Sequence, residues 1–442
     1  MHSANRSPIT DTHRYASNHV NSTRIVITGM GLVSPLGVGT EAVWTRLLAG
    51  TSGIRALPPD VFGDVSSRIA GVVPGADEPY GFDATRVLPS KELKKVDRFI
   101  TFALAAADEA LAQANWHPEN DEQRARTATI IASSMGGFLN ITDAVRTTDG
   151  AGPRRLSPFT VPSFLPNMAA GWVSIRHGFK GPLGAPGTAC AASLQAIGDA
   201  ARHIRTGEAD IAVCGGTEAA LNIVGIGAFA AARALSTGFN DRPTQASRPF
   251  DIDRDGFVIA EGAGVLVIES LDHARARGAT PIAEIVGYGT AADAYHITAG
   301  PETGEGAARA MRAALAQAHL APDAVGHLNA HATSTPVGDK AELAAIRSVF
   351  GAHASPAISA TKSATGHTLG AAGGVEAIFT ALALRDQMLP PTLNLTTRDA
   401  ATEGLDVVGP VARASSIEYA LSNGFGFGGV NASVLLRRWT GA

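Results

Sequence analysis

The chain has 442 residues, of which 45% are hydrophobic, and a formal net charge of −4. This length exceeds one ordinary hydrophobic core, so we expect two domains or two fused halves. The negative charge excludes the overall basic surface that is typical of a nucleic-acid-binding protein. Two cysteines are too few for a disulfide framework and favour a reducing cytoplasm. No apolar run reaches the length that spans a bilayer.

The N-terminal part alternates strand-like and helix-like segments. Residues 1–22 are polar and lack the apolar stretch of a signal peptide, which predicts a flexible tail. A first strand is predicted at RIVITGMGLVSPLG, and helices at EAVWTRLLAG and at the basic segment SKELKKVDRFITFALAAADEALAQA. Buried strands are predicted at TATIIASSMGG and DIAVCGG, and a hairpin-like pair at FDIDRDGFVIAEGAGVLVIES.

A second unit is predicted to begin at residue 277. It has a strand at PIAEIVGYGTAAD, an amphipathic helix at GEGAARAMRAALAQAHL, a strand into a turn at VGHLNAHATSTP, and a final strand pair at IEYALSNGFGFGGVNASVLLRRW. This alternation predicts an α/β fold with largely parallel sheets covered by helices. The similar order of elements in residues 23–276 and 277–442 hints at an internal duplication within one compact body.

Cys190 follows the strand-like stretch GPLGAPGTA and opens the helix-forming run AASLQAIGDAARHI. At such a corner, free N–H groups and the helix dipole favour negative charge, which predicts a lowered thiol pKa and a nucleophile. A buried structural thiol is the alternative, and we prefer that interpretation for Cys214, which lies within a strand.

Two histidines lie in turns rich in small and hydroxyl residues, His331 in NAHATSTPVGD and His367 in TKSATGHTLGAAGG. One such histidine is more often a cap or a surface residue, but two imidazoles with a corner cysteine indicate donors for a developing enolate. Lys362 is placed to orient an imidazole or a carboxylate such as Asp339 or Glu376. The glycine-rich loop GFGFGG can bring a further N–H to an oxyanion. Together these residues predict carbon–carbon bond formation through a thioester.

Four segments in order, GTACAAS, NAHATSTPVGD, ATKSATGHTLGAAGG and SNGFGFGG, resemble the β-ketoacyl-ACP synthase family of the thiolase superfamily. The resemblance runs from about Arg24 to Trp439, and the Cys-His-His set is most similar to the synthase I/II type, especially type II. It implies a thiolase-like fold, in which two similar halves form five layers in the order αβαβα, and a homodimer.

The resemblance also implies a reaction. Cys190 would accept an acyl chain from acyl carrier protein (ACP), with the N–H groups of Cys190 and Phe427 as oxyanion hole. His331 and His367 would promote decarboxylation of malonyl-ACP, and the carbanion would attack the Cys190 thioester to give 3-oxoacyl-ACP and CO2 in fatty-acid elongation. Lys362 would maintain the electrostatic state of the histidines. No cofactor is implied beyond the phosphopantetheine arm of ACP.

Further site residues follow from the same resemblance. They are the gating aromatics Phe425 and Phe427, the phosphopantetheine partners Thr333 and Thr335, the acyl-pocket residues Met135 and Phe229, the ACP-docking residues Lys91, Lys94, Lys95 and Arg233, and the ligands of a structural monovalent cation, Asn329, Glu376, Ser422 and Asn423. Helical spacing predicts one exposed face for the three lysines, and a merely solvated face is the alternative. Met135 and Phe229 are equally compatible with an ordinary core.

Two positions depart from the family pattern. Ala332 replaces the usual glycine, at a cost of about 1 kcal/mol if the position needs a positive φ, and Gly424 stands where serine is common, which is expected to loosen the gating loop. A ketosynthase for a polyketide or another specialised chain is therefore an alternative. A non-catalytic partner subunit like the chain-length factors is another, although such subunits lack the nucleophile and Cys190 is intact.

Overall fold

The computed structural model describes residues 23–351 and 356–441, so the predicted tail at 1–22 lies outside the described residues. The strands are β1 (Ile25–Ser34), β2 (Gly37–Val38), β3 (Ile54–Ala56), β4 (Ile69–Gly71), β5 (Thr127–Ala132), β6 (Leu183–Gly184), β7 (Ile211–Glu218), β8 (Gly262–Ser270), β9 (Ala283–Ala292), β10 (Val325–Asn329), β11 (Ala357–Ser359), β12 (Met388–Leu389), β13 (Arg413–Ala414), β14 (Tyr419–Gly426) and β15 (Val430–Arg438).

The helices are α1 (Thr40–Leu48), α2 (Pro59–Phe62), α3 (Ala84–Val87), α4 (Ser90–Leu93), α5 (Arg98–Ala114), α6 (Asp121–Ala125), α7 (Phe138–Ala151), α8 (Thr160–Phe164), α9 (Met168–His177), α10 (Ala192–Arg205), α11 (Ile223–Ala231), α12 (Leu271–Ala276), α13 (Glu305–Gln317), α14 (Pro336–Phe350), α15 (Lys362–Thr365) and α16 (Ala372–Asp386). Within the described ranges, no helix is both long enough and apolar enough to cross a bilayer.

The main sheet consists of two halves with the same topology. Its strand order is β11-β10-β14-β15-β9-β1-β8-β7-β5-β6. Counted outwards from the centre of the sheet, each half has two antiparallel strand pairs followed by two parallel ones. In the first half β1–β8 and β8–β7 are antiparallel, and β7–β5 and β5–β6 are parallel. In the second half β9–β15 and β15–β14 are antiparallel, and β14–β10 and β10–β11 are parallel. The halves join where Ile25–Ile27 pairs with 283–285. The two similar halves are therefore confirmed in the sheet.

The prediction of largely parallel sheets is wrong. Each half is mixed, because β8 and β15 run antiparallel to both of their neighbours. The final strand pair is confirmed as the β14–β15 hairpin. The predicted hairpin at 250–270 is also wrong, because only β8 is a regular strand there. Residues 250–261 instead form turns and isolated bridges, including one between Ile259 and His367.

Helices fill three layers around the two halves of the sheet. Helix α5 covers β1, β8 and β7 on one outer side, and α13 covers β9 and β15 on the other, whereas α10 and α16 contact strands of both halves and lie between them. The central layer is apolar, with Leu194, Ile197, Phe379 and Leu382 fully buried. Burial of each such side chain stabilises the fold by about 2–3 kcal/mol. This is the predicted five-layer αβαβα arrangement.

Glycine and alanine permit close approach of the outer helices, in the same way in both halves. A Cβ at Gly29 of β1 would lie 2.0 Å from the carbonyl oxygen of Ala110 on α5. A Cβ at Gly287 of β9 would lie 2.1 Å from that of Ala314 on α13. Because a backbone carbonyl cannot rotate away, only glycine fits at these crossings. The duplication is therefore visible at individual residues.

Candidate active site

One cavity of about 530 Å³ contains the three residues predicted to be reactive. Cys190, His331 and His367 all line it, although they come from three separate parts of the chain: the turn before α10, the end of β10, and the segment between α15 and α16. The two imidazole rings lie 5.3 Å apart between centroids at an interplanar angle of 85°. The fold thus brings one thiol and two imidazoles to a single space.

Cys190 lies on a short 3-10 turn, Ala189–Ala191, that leads directly into α10. Ala189 has a left-handed φ of 48°, an uncommon conformation for alanine that turns the chain sharply before the cysteine. The backbone N–H groups of Cys190 and Phe427 both lie near enough to the sulfur to favour the thiolate. Two backbone donors are therefore available beside the thiol.

The predicted lowering of the Cys190 pKa is wrong for this structure. Burial raises the pKa of the thiol to about 12, and the carboxylate of Glu218 adds to this effect. The ammonium of Lys362 and the two backbone donors act in the opposite direction but do not outweigh burial. The resting group is therefore a thiol, and attack on a thioester requires loss of its proton. Cys214 is fully buried within β7, as expected for a structural residue.

His367 is held as one neutral tautomer. Burial, assisted by Lys362, lowers its pKa well below the usual value. The backbone N–H of Leu369 donates to Nδ1 of the ring at 3.3 Å, so the ring proton resides on Nε2. The ring also lies edge-to-face on Phe257, with 5.4 Å between centroids. His367 therefore presents a hydrogen-bond donor to the cavity.

His331 is positioned through its backbone. Its N–H donates to one oxygen of Glu342 at 2.9 Å, and the N–H of Ala332 donates to the other at 2.6 Å. Burial, with added repulsion from Lys362 and His367, lowers the pKa of His331 well below the usual value. The ring packs against Phe425, with 5.6 Å between centroids. Both imidazoles are therefore neutral at ordinary pH.

Lys362 pairs with Glu376 and not with Asp339. Its ammonium lies 2.5 Å from Glu376 Oε1, and both side chains are buried. Burial raises the pKa of Glu376 to about 7. Asp339 instead lies 3.5 Å from Arg254 and accepts from the N–H of Ser334. One buried cation thus opposes the rise in the thiol pKa and helps to lower the pKa of both imidazoles.

Six of the other predicted site residues line the same cavity. Its lining includes Thr333, Thr335, Phe229, Arg233, Phe425 and Phe427. Met135 does not line it, but packs with Phe229 in the adjoining apolar cluster. The hydroxyl oxygens of Thr333 and Thr335 lie 3.1 Å apart. Phe427 is 40% exposed, as expected of a residue at an entrance.

The three predicted docking lysines do not share one helix face. Helix α4 ends at Leu93 and α5 begins at Arg98, so the chain turns between them. The cause is the N-cap of α5, where the carboxylate of the preceding Asp97 accepts from the N–H of Phe99. Lys91 and Lys94 are exposed. Lys95 is half-buried, paired with Glu92 and stacked 5.1 Å from the ring centroid of Phe159.

The four predicted cation ligands are buried together with two unpartnered oxygens. Asn329, Glu376, Ser422 and Asn423 are each at most 2% exposed. Among the described residues, Glu376 Oε2 and Ser422 Oγ have no hydrogen-bond partner. Because buried oxygens normally have partners, these two fit a hard monovalent cation. No group of three histidine, cysteine or acidic residues suited to a metal occurs in 23–351 and 356–441.

The two departures from the family pattern have local explanations. Ala332 has no positive φ, so the expected backbone strain is absent. Gly424 lies inside β14 opposite Ala432, and not in the gating loop. A Cβ at Gly424 would lie 2.9 Å from Cδ1 of Leu194, the residue that packs behind the Cys190 turn. The glycine therefore accommodates Leu194 at a paired position of the strand.

Two buried carboxylates near the site were not found in the sequence. Glu342 holds His331 and Ala332, and Glu218 accepts hydrogen bonds from two loops beside the cavity. The sequence feature that could have identified both is an acidic residue at a position where the helix or strand pattern predicts a buried apolar one. Glu342 shares the buried face of α14 with Leu343 and Ile346, and Glu218 ends a strand whose residues are all buried.

Comparison with known proteins agrees with this geometry. Residues 22–274 match the family model described as "Beta-ketoacyl synthase, N-terminal domain", and residues 282–396 match the corresponding C-terminal domain. The chain is 52% identical over 420 residues to "3-oxoacyl-[acyl-carrier-protein] synthase 2" of Rhizobium meliloti, covering 95% of this chain and 99% of that protein.

Solved structures give the same fold. A β-ketoacyl synthase from Burkholderia phymatum superposes with a TM-score of 0.86 at 37% identity, covering 95% of this chain and all of that chain. A second solved structure is a ketosynthase described in complex with its type II polyketide acyl-carrier protein and bound to a hexaketide. It superposes with a TM-score of 0.85 at 33% identity, covering 95% of this chain and all of that chain. With a thiol and two neutral imidazoles in one cavity of this fold, and a buried lysine that acts on all three, the chain belongs to the β-ketoacyl synthase family of condensing enzymes.

Proposed function

We propose that this enzyme is a 3-oxoacyl-ACP synthase of fatty-acid elongation, which condenses an acyl group held on Cys190 with malonyl-ACP. The observation that carries the proposal is the cavity shared by one buried thiol and two neutral imidazoles. A thiol supplies the acyl acceptor, and neutral imidazoles supply donors for an enolate without protonating it.

The first half-reaction transfers the acyl chain. The sulfur of Cys190 attacks the thioester carbonyl of acyl-ACP, and the bond from that carbon to the phosphopantetheine sulfur breaks. The thiol proton ends on the leaving sulfur, so no net charge is created. The N–H groups of Cys190 and Phe427 stabilise the intermediate oxyanion, an effect for which one lost donor typically costs about 3 kcal/mol.

The second half-reaction forms the new bond. In malonyl-ACP the bond to the carboxylate carbon breaks, CO2 leaves, and the electron pair becomes an enolate. Nε2–H of His367 donates to the enolate oxygen, with His331 as the second imidazole at that position. The enolate carbon attacks the Cys190 thioester, and the carbon–sulfur bond breaks. The released thiolate takes a proton from water and regenerates the thiol.

The test separates the two half-reactions. Cys190→Ala is expected to abolish the acyl adduct and condensation but to keep some malonyl-ACP decarboxylation, because both imidazoles remain. His331→Ala is expected to form the adduct, seen by intact mass, and to lose decarboxylation. Absence of an adduct on the wild-type protein would instead support a chain-length-factor-like role.

The polyketide alternative rests on the similarity to a ketosynthase bound to a hexaketide. The higher identity to a 3-oxoacyl-ACP synthase favours fatty-acid elongation. Competition among saturated acyl-ACPs of graded length, in one elongation assay, distinguishes them. Elongation of saturated chains supports the proposal, and acylation restricted to 3-oxoacyl chains supports the alternative.

ACP is proposed as the partner, with docking at Lys91, Lys94, Lys95 and Arg233. Two observations support this: Lys91 and Lys94 are exposed, and Arg233 lines the cavity. The double change Lys94→Glu with Lys95→Glu is expected to raise the apparent KM for ACP substrates about tenfold at low salt, and less at high salt. Lys180→Glu, another exposed lysine, is the control. Unchanged kinetics at low salt would contradict the docking site.

A homodimer is proposed because one edge of the sheet is open and apolar. Strand β6 ends the sheet, and Leu183 on it is 47% exposed. The adjoining helices α7, α8 and α9 and the connections between them expose further apolar side chains, namely Val145, Leu156, Phe159, Val161, Leu165 and Ile175. Leu183→Lys with Val161→Lys is expected to convert a dimer to a monomer in sedimentation velocity, whereas the control Val411→Lys, at a more exposed apolar residue, is not.

Three smaller proposals complete the assignment. Asn329, Glu376, Ser422 and Asn423 would hold a monovalent cation that neutralises buried oxygens, which predicts a higher melting temperature in K⁺ than in tetramethylammonium. The two halves are divided between residues 276 and 277, after α12. The enzyme acts in the cytoplasm, where its two free cysteines stay reduced.

A further inference from the structure

Glu218 is a buried carboxylate that joins the His367 turn to the loop beside the acyl pocket. It is the last residue of β7 and is 0% exposed. Oε1 accepts from the hydroxyl of Ser133 at 2.8 Å and from the N–H of Met135 at 3.1 Å. Oε2 accepts from the N–H of Ser134 at 2.9 Å, from its hydroxyl, and from the N–H of Gly370 at 3.0 Å.

The contact with Gly370 fixes the turn that follows His367. This turn, Leu369–Ala371, begins with Leu369 in a left-handed conformation at φ 50°, which costs a non-glycine residue about 1 kcal/mol. The same conformation directs the N–H of Leu369 at Nδ1 of His367. A Cβ at Gly370 would lie 2.6 Å from the Glu218 carboxylate, so the turn lies directly against it. The strained turn is therefore stabilised by a hydrogen bond to a residue outside it, Glu218.

We propose that Glu218 is a positioning residue for the second half-reaction. By binding the N–H of Gly370, it holds the N–H of Leu369 on Nδ1 of His367 and so keeps the ring proton on Nε2. The inference rests on the proposed function, because only the enolate step needs that proton. Without Glu218 the turn relaxes, and the ring presents a lone pair to the cavity in place of a donor. Acyl transfer to Cys190 uses backbone donors of other segments and continues.

The other contacts of Glu218 extend the effect to the acyl chain. Met135, whose N–H the carboxylate holds, packs in one apolar cluster with Phe229 and Leu369. The 3-10 turns that contain Cys190 and Leu369 also contact each other. One carboxylate therefore ties the walls of the acyl pocket to the imidazole that acts after the chain is loaded.

Side-chain replacements at 218 separate positioning from simple stability. Glu218→Ala removes the acceptor for Gly370, and decarboxylation of malonyl-ACP is expected to fall about a hundredfold. Acylation of Cys190 is expected not to slow, because loss of the carboxylate also removes one of the effects that raise the thiol pKa. Glu218→Gln is expected to restore most of the rate. Its amide oxygen can still accept from Gly370, while its amide nitrogen donates to the hydroxyl of Ser133 and gives up only the hydrogen bond from the N–H of Met135. If Glu218→Ala does not fold, Glu218→Asp decides, because its shorter side chain withdraws from Gly370.

Glu269→Ala is the matched control, because Glu269 is equally buried, is the penultimate residue of β8, and binds Thr28, His273 and Arg277 away from the cavity. It is expected to lower the melting temperature and to leave the ratio of the two half-reactions unchanged. Nitrogen-15 shifts of His367 provide an activity-independent readout, with the proton on Nε2 in wild type and redistributed in Glu218→Ala. Folded 218 variants with the wild-type ratio and tautomer overturn the inference. A wild-type protein that never decarboxylates malonyl-ACP contradicts the proposed function itself, and this role with it.

Discussion

Gly426→Ala tests whether the end of β14 supplies half of the oxyanion hole. A Cβ there would lie 2.7 Å from the carbonyl oxygen of Thr188 and 3.2 Å from the backbone nitrogen of Cys190. Gly426 has no positive φ, so alanine suffers no conformational strain, and the collision alone decides the outcome. Restoring ordinary contact at 3.4 Å moves the strand end by about 0.7 Å.

This displacement carries the N–H of the next residue, Phe427, away from the sulfur of Cys190. Loss of one oxyanion donor lowers a rate about a hundredfold to a thousandfold, or by about 3 kcal/mol. We therefore expect the rate of Cys190 acylation, followed by rapid quench and intact mass, to fall about a hundredfold at saturating acyl-ACP. The melting temperature should fall only slightly, because β14 stays paired along its length.

Gly424→Ala is the control in the same strand. Its Cβ would crowd only the side chain of Leu194, at 2.9 Å, and that side chain can rotate; the nearest backbone atom, Cα of Ala191, lies at an ordinary 3.6 Å. Overpacking of this kind costs about 1–3 kcal/mol of stability but does not displace the backbone donor. Acylation by Gly424→Ala is expected within about threefold of wild type. A Gly426→Ala enzyme that acylates at the wild-type rate would refute the placement of the Phe427 N–H in the oxyanion hole.

Three further predictions follow from the charges at the site. Because burial raises the pKa of Cys190 to about 12, its alkylation by iodoacetamide should still accelerate above pH 9, and a plateau near pH 8 would contradict this. Because both imidazole pKa values lie well below 6.5, decarboxylation should stay level from pH 8 to pH 6, and a fall centred near pH 6.5 would show that an imidazole protonates there. Lys362→Met removes the charge that lowers all three pKa values, so alkylation at pH 9 should slow and decarboxylation should gain an acid-side loss.

Much of the site was predictable because its residues lie in short local motifs. The corner before α10 and the turn after β10 are encoded within about ten residues each, so Cys190 and His331 could be assigned from the sequence. The rise in the Cys190 pKa could not, since it depends on burial by segments distant in the chain. The sequence indicated the helix dipole but contained no measure of desolvation.

The roles of the buried carboxylates Glu218 and Glu342 could not be predicted from the sequence either. Glu218 receives its donors from Ser133–Met135 and from Gly370, which lie 83–85 and 152 positions away. The prediction of largely parallel sheets failed for a related reason. Pairing between segments that are distant in the chain decides whether neighbouring strands run parallel or antiparallel. The duplication was only hinted at by element order. It becomes explicit where Gly29 meets Ala110 and Gly287 meets Ala314.

The most direct measurement is a single turnover of isolated acyl-enzyme with malonyl-ACP. If the thiol and both imidazoles act in one cavity, the adduct on Cys190 disappears as 3-oxoacyl-ACP and CO2 form, one of each per adduct, with a common rate constant. An adduct that persists while CO2 is released, or one that is discharged only by hydrolysis, would contradict the account.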